Sequence, residues 1–404
     1  MEFVSGQIKI RDIFLDNGNW WRLWLAHPQL IRSSIVINVL KMLACRTSFL
    51  GYHVFVCPQC LQRVKAPHTC KSRFCSSCGK KATDNWVGTA INTLPDTIWQ
   101  HMTWTIPSVL QPFLWHNRYL FNRLPLLAAN IVKQWAAKKH FLPGLYLALH
   151  TFGRDLKRNG HIHLSTTAGG LSEDRTAWMP HVYFPHEPLK RMWRYAVINL
   201  FRSEFQAGRL RLPKELRHLK TYIAFNSWLN VLYHKTWVVH LNEQSNNRKA
   251  TIEYLGKYLK RPPLGETRIK AYDGITVTFE YLDHYTNTTA TMTLPVLEFI
   301  GRLIAHIPDR YFRNIRYYGF LATRIRGQLL PRVRQLLGQV ANLPLSAQKA
   351  YTSWRQMLLS TFGKDPLRCP SCGFLMALSF IVFPSQRSLT AFHQEIAHGY
   401  FKLL

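Results

Sequence analysis

Gly144-Leu-Tyr-Leu-Ala-Leu-His150-Thr-Phe152 and, beyond the polar residues 153–160, His161-Ile-His163-Leu-Ser-Thr-Thr-Ala168 are the segments on which the fold turns. Each is a short apolar or alternating run bounded by turn formers, the signature of a strand. A polar connection of this length joins two strands as an antiparallel hairpin. Outward from it, 101–107 and 237–241 read as further strands. Residues 268–272 and 275–281 flank Asp273-Gly274, a strong hairpin signal. Helical spacing of apolar residues marks 1–44, 113–138, 186–208, 213–234, 295–307 and 328–361. Strands and helices mix without strict alternation, which predicts an α+β fold with an antiparallel sheet flanked by helices.

Side chains alternate along a strand, so His161 and His163 share one face, roughly 6.6 Å apart at Cα. That spacing suits two imidazoles chelating one ion. His150 closes the preceding strand and can reach the same ion across the hairpin; Asp155 and Glu253 are alternative third ligands. A lone His-x-His also occurs on solvated strand faces, where it binds nothing.

A second motif is Thr251-Ile-Glu-Tyr254-Leu-Gly-Lys257-Tyr258-Leu-Lys-Arg261-Pro-Pro263. At 100° per residue, Ile252, Leu255 and Leu259 form an apolar stripe, while Tyr254, Tyr258, Lys257 and Arg261 fall opposite. The two prolines end the helix. Core tyrosines would lie with the leucines; phenols beside cations suit attack on a phosphodiester. A phenol with a pKa of about 10 is a poor nucleophile at neutral pH. A bound divalent ion, with Lys257 or Arg261, would lower the cost of the phenolate and stabilise the charge that develops at phosphorus.

Cys57-x-x-Cys60 and Cys75-x-x-Cys78 enclose fourteen residues, the pattern of two knuckles sharing a structural zinc. Cys70, Cys45, His53 and His68 are further candidate ligands; alternatively Cys45 is a small buried hydrophobe and the histidines are surface residues. Cys369-Pro-Ser-Cys372 is another knuckle, which His393 and His398 could complete. A disulfide framework is disfavoured in a chain expected to be cytosolic. That expectation rests on Glu2, Lys9, Arg11 and Asp12, where a secretory signal would need an apolar run, and on the lack of an apolar stretch long enough to span a bilayer.

The chain has 404 residues, 52 Lys and Arg against 21 Asp and Glu, and a formal net charge of +31. Residues 41–83 and 310–364 contain no acidic residue, and aromatics are interleaved with the cations, as in 310–319. Cations for phosphates and rings for bases are the needs of a single-stranded nucleic-acid channel. DNA is therefore the expected partner, and no membrane. Arg73, Arg313, Arg316, Tyr317 and Arg261 are the candidate contacts.

The ordered motifs resemble the two-tyrosine branch of the HUH endonucleases. The cysteine-rich front end, with Ser72-Arg73, and Ile315-Arg-Tyr-Tyr-Gly319 further resemble one bacterial group within it, the rolling-circle transposases of the insertion-sequence ninety-one family. Gly301-Arg302 departs from that family's paired arginines, and Phe74-Cys75-Ser76 from its His-Cys-Pro. The resemblance implies a nuclease sheet with His-x-His at its centre and the tyrosine helix packed on it. It also implies Mg²⁺ or Mn²⁺ at that site beside structural Zn²⁺, and nicking of single-stranded, hairpin-containing element ends through a 5′-phosphotyrosine. The strand would then pass to a target in the bacterial nucleoid. The expected division is a helical and zinc-binding domain over 1–95, the nuclease over 96–310, and a basic helical region over 311–404. A plasmid replication initiator or relaxase would share the chemistry, and a zinc-dependent DNA-binding protein would share the composition without cleaving.

Overall fold

The computed structural model describes residues 8–29, 31–259, 263–283, 286–339 and 353–397; the side chains of residues 254, 255, 257–259 and 397 fall outside that description. Among the described residues the strands are β1 (Tyr52–Val56), β2 (Arg63–Pro67), β3 (Trp99–Thr105), β4 (Phe141–Phe152), β5 (Arg158–Ser172), β6 (Trp178–Met179), β7 (Val239–Leu241), β8 (Ile269–Tyr272), β9 (Thr276–Leu282), β10 (Thr289–Pro295), β11 (Ile315–Gly319) and β12 (Ala377–Val382). The expected α+β architecture is present, with antiparallel sheets flanked by helices.

The decisive hairpin is β4–β5, and it forms the middle of a sheet ordered β11-β4-β5-β3-β7, with β6 on the far end of β5. Strand alternation gives this sheet two different faces. Leu145, Leu147 and Leu149 of β4, Ile162 and Leu164 of β5, and Met102 and Trp104 of β3 enter one core with the helices Leu120–Ala137 and His186–Gln206. Each such side chain contributes roughly 1.5–3 kcal/mol when fully buried, so this face anchors the hairpin rigidly. On the other face Tyr146, Ala148 and Trp99 pack with Trp86 and Ile252, which lie on the helices Ser76–Thr93 and Arg248–Leu259. Residue 256 of the second helix is glycine where the helices touch: a Cβ there would stand 2.3 Å from Val87 Cγ2.

A separate core joins the N-terminal helices Ile10–Leu15, Asn19–Ala26 and Ser33–Leu43 to β8–β10 and the helix Val296–Ala305. Residues 264–307 thus share their core with the N-terminal helices, and β11, beyond residue 310, completes the central sheet. The C-terminal region is not helical throughout, since β12 pairs with β1. Within 213–234 the α-helix starts only at Tyr222, because the Thr221 hydroxyl accepts from the Ala224 N–H and caps it there. No described helix is long and apolar enough to cross a membrane.

Candidate active site

The register of β4 and β5 sets His150 directly opposite His161, and His163 two residues further along the same face. The His161 and His163 Nε2 atoms are 3.1 Å apart. The His150 ring lies 5.2 Å from that of His161 and 4.7 Å from that of His163, centre to centre. One ring nitrogen from each of the three comes within 4.8 Å of the others, a set able to hold one divalent ion. Asp155 is engaged elsewhere, accepting from the Lys157 N–H at 3.1 Å and pairing with its ammonium at 3.2 Å. Glu253 is exposed beside Lys249. Neither joins the imidazoles.

Neighbouring groups orient these rings. His161 Nδ1 lies 2.9 Å from the Asn159 carbonyl and can only donate to it, which leaves the Nε2 lone pair directed at His163. His163 Nδ1 lies 3.1 Å from His101 Nε2, and His101 Nδ1 lies 3.3 Å from Ser165 Oγ. A tautomer that donates from His163 to His101 and from His101 to Ser165 frees His163 Nε2 to bind an ion. Burial, then the neighbouring His150, His161 and His101, holds the His163 pKa well below the usual histidine range. Burial, with His240 next in size, brings His101 to about 4. Both are neutral at pH 7, the form a metal ligand needs. Sequence reasoning missed His101. It sits on β3 opposite Ser165, and nothing in the strand's own pattern discloses that register.

The helix Arg248–Leu259 lies over the face that carries the three imidazoles, because Ile252 shares a core with Tyr146 and Ala148 of β4. Ile252 is buried, as the apolar stripe requires. The side chains of Tyr254, Lys257 and Tyr258, and Arg261 and His398 altogether, lie outside the described residues.

The cysteines group differently from the expectation. Cys45, Cys70, Cys75 and Cys78 form one cluster, with Cys45 and Cys78 sulfurs 3.7 Å apart, Cys70 and Cys78 3.6 Å, and Cys75 and Cys45 3.7 Å. Cys57, Cys60, Cys369 and Cys372 form the other, with separations of 3.4 Å for Cys57–Cys372 and 3.5 Å for Cys60–Cys369 and Cys372–Cys60. Four thiolates around zinc at about 2.3 Å stand about 3.8 Å apart, so each set fits one Zn²⁺.

Cys57-Cys60 and Cys75-Cys78 therefore do not share an ion. The reason is the β1–β2 hairpin: Cys57 and Cys60 are at its tip, whereas Cys45 and Cys70 are at its base. Five residues at about 3.3 Å each separate the two ends. Nor do His393 and His398 complete Cys369-Cys372. His393 Nε2 accepts from the Trp20 indole at 3.0 Å, among Trp21 and Trp24. β12 instead runs beside β1, with Ala377 opposite Val56, and delivers the C-terminal knuckle to the tip. His53 and His68 belong to neither cluster; they lie 2.9 Å apart, Nδ1 to Nε2.

Of the candidate DNA contacts, Arg313 and Arg316 are on the surface, and Arg316 bonds the Asn122 carbonyl at 2.9 Å while lying over Phe312. Tyr317 is held in place, its hydroxyl accepting from the Trp86 indole at 3.1 Å. Arg73 follows Ser72, whose hydroxyl bonds Asn38 at 2.8 Å.

The chain joins a front end whose cysteines can hold zinc to a sheet whose histidines can hold a divalent ion, and comparison with known proteins gives the class of protein to which this arrangement belongs. A family model described as "Transposase zinc-binding domain" matches residues 18–106, and one described as "Putative transposase" matches 144–328. The chain is 36% identical over 370 residues to "Transposase for insertion sequence element IS801" of Pseudomonas savastanoi pv. phaseolicola, covering 91% of this chain and 88% of that one. It is 30% identical over 336 residues to "Putative transposase y4qJ" of Sinorhizobium fredii (strain NBRC 101917 / NGR234), covering 81% and 84%. No solved structure matches it. The chain belongs to the insertion-sequence ninety-one family of transposases: it is a transposase that cuts and transfers DNA and carries structural Zn²⁺.

Proposed function

We propose that the chain is an HUH-type single-strand endonuclease and strand transferase, acting through Tyr254 and Tyr258 at a divalent ion held by His150, His161 and His163. The observation that carries this reading is the helix of the two tyrosines lying over the sheet face on which the three imidazoles converge. The donor set fits a divalent ion, and nitrogen ligands favour Mn²⁺ over Mg²⁺. Such an ion supplies Lewis-acid polarisation of the scissile phosphate. His101 and Ser165 are positioning residues that keep His163 in its ligating tautomer. Lys257, Arg261, Arg73, Arg313 and Arg316 hold phosphates of the single strand.

In the reaction a tyrosine Oη gives up its proton and forms a bond to phosphorus. The P–O3′ bond breaks in line, and the leaving 3′ oxygen takes a proton. The result is a 5′-phosphotyrosine and a free 3′-hydroxyl. A 3′-hydroxyl of target DNA reverses these bond changes and reseals the strand elsewhere. Two tyrosines allow two such linkages within one exchange.

The test is incubation with labelled single strands of the element's ends, with hairpins, in Mn²⁺ or Mg²⁺. A protease-sensitive covalent adduct is expected, lost in the Tyr254→Phe/Tyr258→Phe double variant and in His161→Ala. His101→Ala should raise the Mn²⁺ concentration needed for half-maximal cleavage roughly 10- to 100-fold. Tight binding without cleavage or adduct would refute the nuclease reading and favour a DNA-binding role alone.

A further inference from the structure

Next to the histidine cluster is a cavity that the chemistry above does not use. It encloses about 580 Å³ of space, its open mouth included. Its position is informative. Leu149, Thr151 and Phe152, which bracket His150, form one wall, and Pro263, just beyond the tyrosine helix, contributes another part. Phe152 is half-buried and stacks on the His150 ring, 5.2 Å away at 19°. Phe312, also half-buried, lines the cavity as well, and Asn314 adds an amide.

The zinc domain supplies the remaining wall. The loop from Cys70 to Cys75 is pinned at both ends by the base cluster and in the middle by the Ser72–Asn38 bond. It sends Arg73 and Phe74 to the cavity. The other cation there, Arg118, is already paired with Asp309 through a 2.8 Å bond, and Arg32 shares that same carboxylate. Arg73 is half-buried and has no carboxylate partner among the described residues. It remains charged at neutral pH. A half-buried guanidinium that no carboxylate engages is a ready seat for a phosphate, which it can bind in bidentate fashion.

Resting on the nuclease reading, we infer that this cavity captures one nucleotide of the single strand beside the scissile phosphate, with Arg73 on its phosphate and Phe312 and Phe152 against its base. The half-exposed rings provide stacking surface and Asn314 an edge for hydrogen bonding. The zinc loop is thereby part of the nuclease site, and zinc content and strand placement are linked through Arg73.

The experiment combines an abasic scan with a double-mutant cycle. Element-end single strands, each with one abasic residue within several nucleotides of the nick, are titrated by fluorescence anisotropy against the full chain, Phe312→Ala, Asn314→Ala, Arg73→Ala and Arg73→Lys. Covalent adduct is scored in parallel. Stacking on one base corresponds to roughly 5- to 100-fold in affinity. One abasic position should cost that much in the wild type and nothing further in Phe312→Ala, while Arg73→Ala should weaken every strand and Arg73→Lys restore only part. Phe312 and Asn314 belong to neither zinc cluster and lie outside the Cys70–Cys75 loop, so they keep the test valid if Arg73→Ala misfolds. Additive losses at every position, with adduct still formed, overturn the pocket and leave the nuclease. One coupled position with no adduct under any metal retains the pocket and overturns the nuclease. Absence of single-strand binding overturns both.

Discussion

The two four-cysteine clusters are chemically alike and topologically opposite. The base cluster is closed by residues 45–78 and embedded in a core, with Cys45, Cys75 and Cys78 all buried beside the N-terminal helices. The tip cluster takes half its ligands from more than 300 residues away: Cys57 meets Cys372 at a separation of 315 in sequence. Its own core is small, comprising Phe55, Cys57, Cys369 and Met376 with a few partly buried neighbours. One zinc site sits within a domain's core; the other clasps residues 369–382 to the hairpin of β1 and β2.

That contrast predicts unequal consequences of losing a ligand. Cys75→Ser should abolish folding of the N-terminal helices, since structural zinc supplies on the order of 10 kcal/mol in small domains. Far-UV circular dichroism and aggregation would report it. Cys369→Ser should leave a folded protein that binds one structural metal instead of two, read as half the thiolate-to-cobalt charge-transfer absorbance after Co²⁺ loading. Its cost should be about 5 kcal/mol, the size of a cross-link closing a loop of some three hundred residues, with new protease cleavage in the 363–388 region. Equal damage from both variants would break the comparison.

The same contrast explains what the sequence disclosed. The hairpin of β4 and β5, the His-x-His pair and the local cluster's cysteines are legible because period-2 alternation and short spacing are local signals. Pairing Cys57-Cys60 with Cys75-Cys78 followed the shorter loop, and failed because a five-residue strand rigidly separates the two knuckles. The partner knuckle arrives on β12, and nothing in residues 369–382 reveals that they pair with β1. His101 was hidden for the same reason, since its role depends on the register between β3 and β5. Contacts closed across the chain are set by packing, which single-sequence periodicity does not carry.

A pH titration sharpens the comparison at another long-range tie. His306 is buried between Thr151 and the Leu156 carbonyl, at 3.2 and 3.1 Å, and burial brings its pKa to about 4. The unfolded chain, at about 6.5, binds more protons between these two values. Stability from this group is therefore full above pH 6.5 and is lost as pH falls toward 4. From pH 7 to pH 5 the loss should be on the order of 2 kcal/mol, and His306→Gln should remove it from the denaturation curves. An unchanged slope in that variant would place the acid sensitivity elsewhere.

The smallest effect concerns the contact that seats the tyrosine helix. Ordinarily Gly→Ala inside a helix is stabilising by about 1 kcal/mol. At position 256 the added methyl would meet Val87 Cγ2 at 2.3 Å, with Thr83 and Trp86 side chains at 3.7 Å behind it. Overpacking of this kind costs roughly 1–3 kcal/mol, so the net change should be a loss of about 1 kcal/mol and a lower cleavage rate at full zinc content. Val87→Ala removes the opposing methyl groups. If helix seating is what Gly256 protects, Gly256→Ala/Val87→Ala should recover cleavage that Gly256→Ala loses, even though both changes are outside the histidine cluster. A double variant no better than the single one would mean that residue 256 is glycine for a reason other than this close approach.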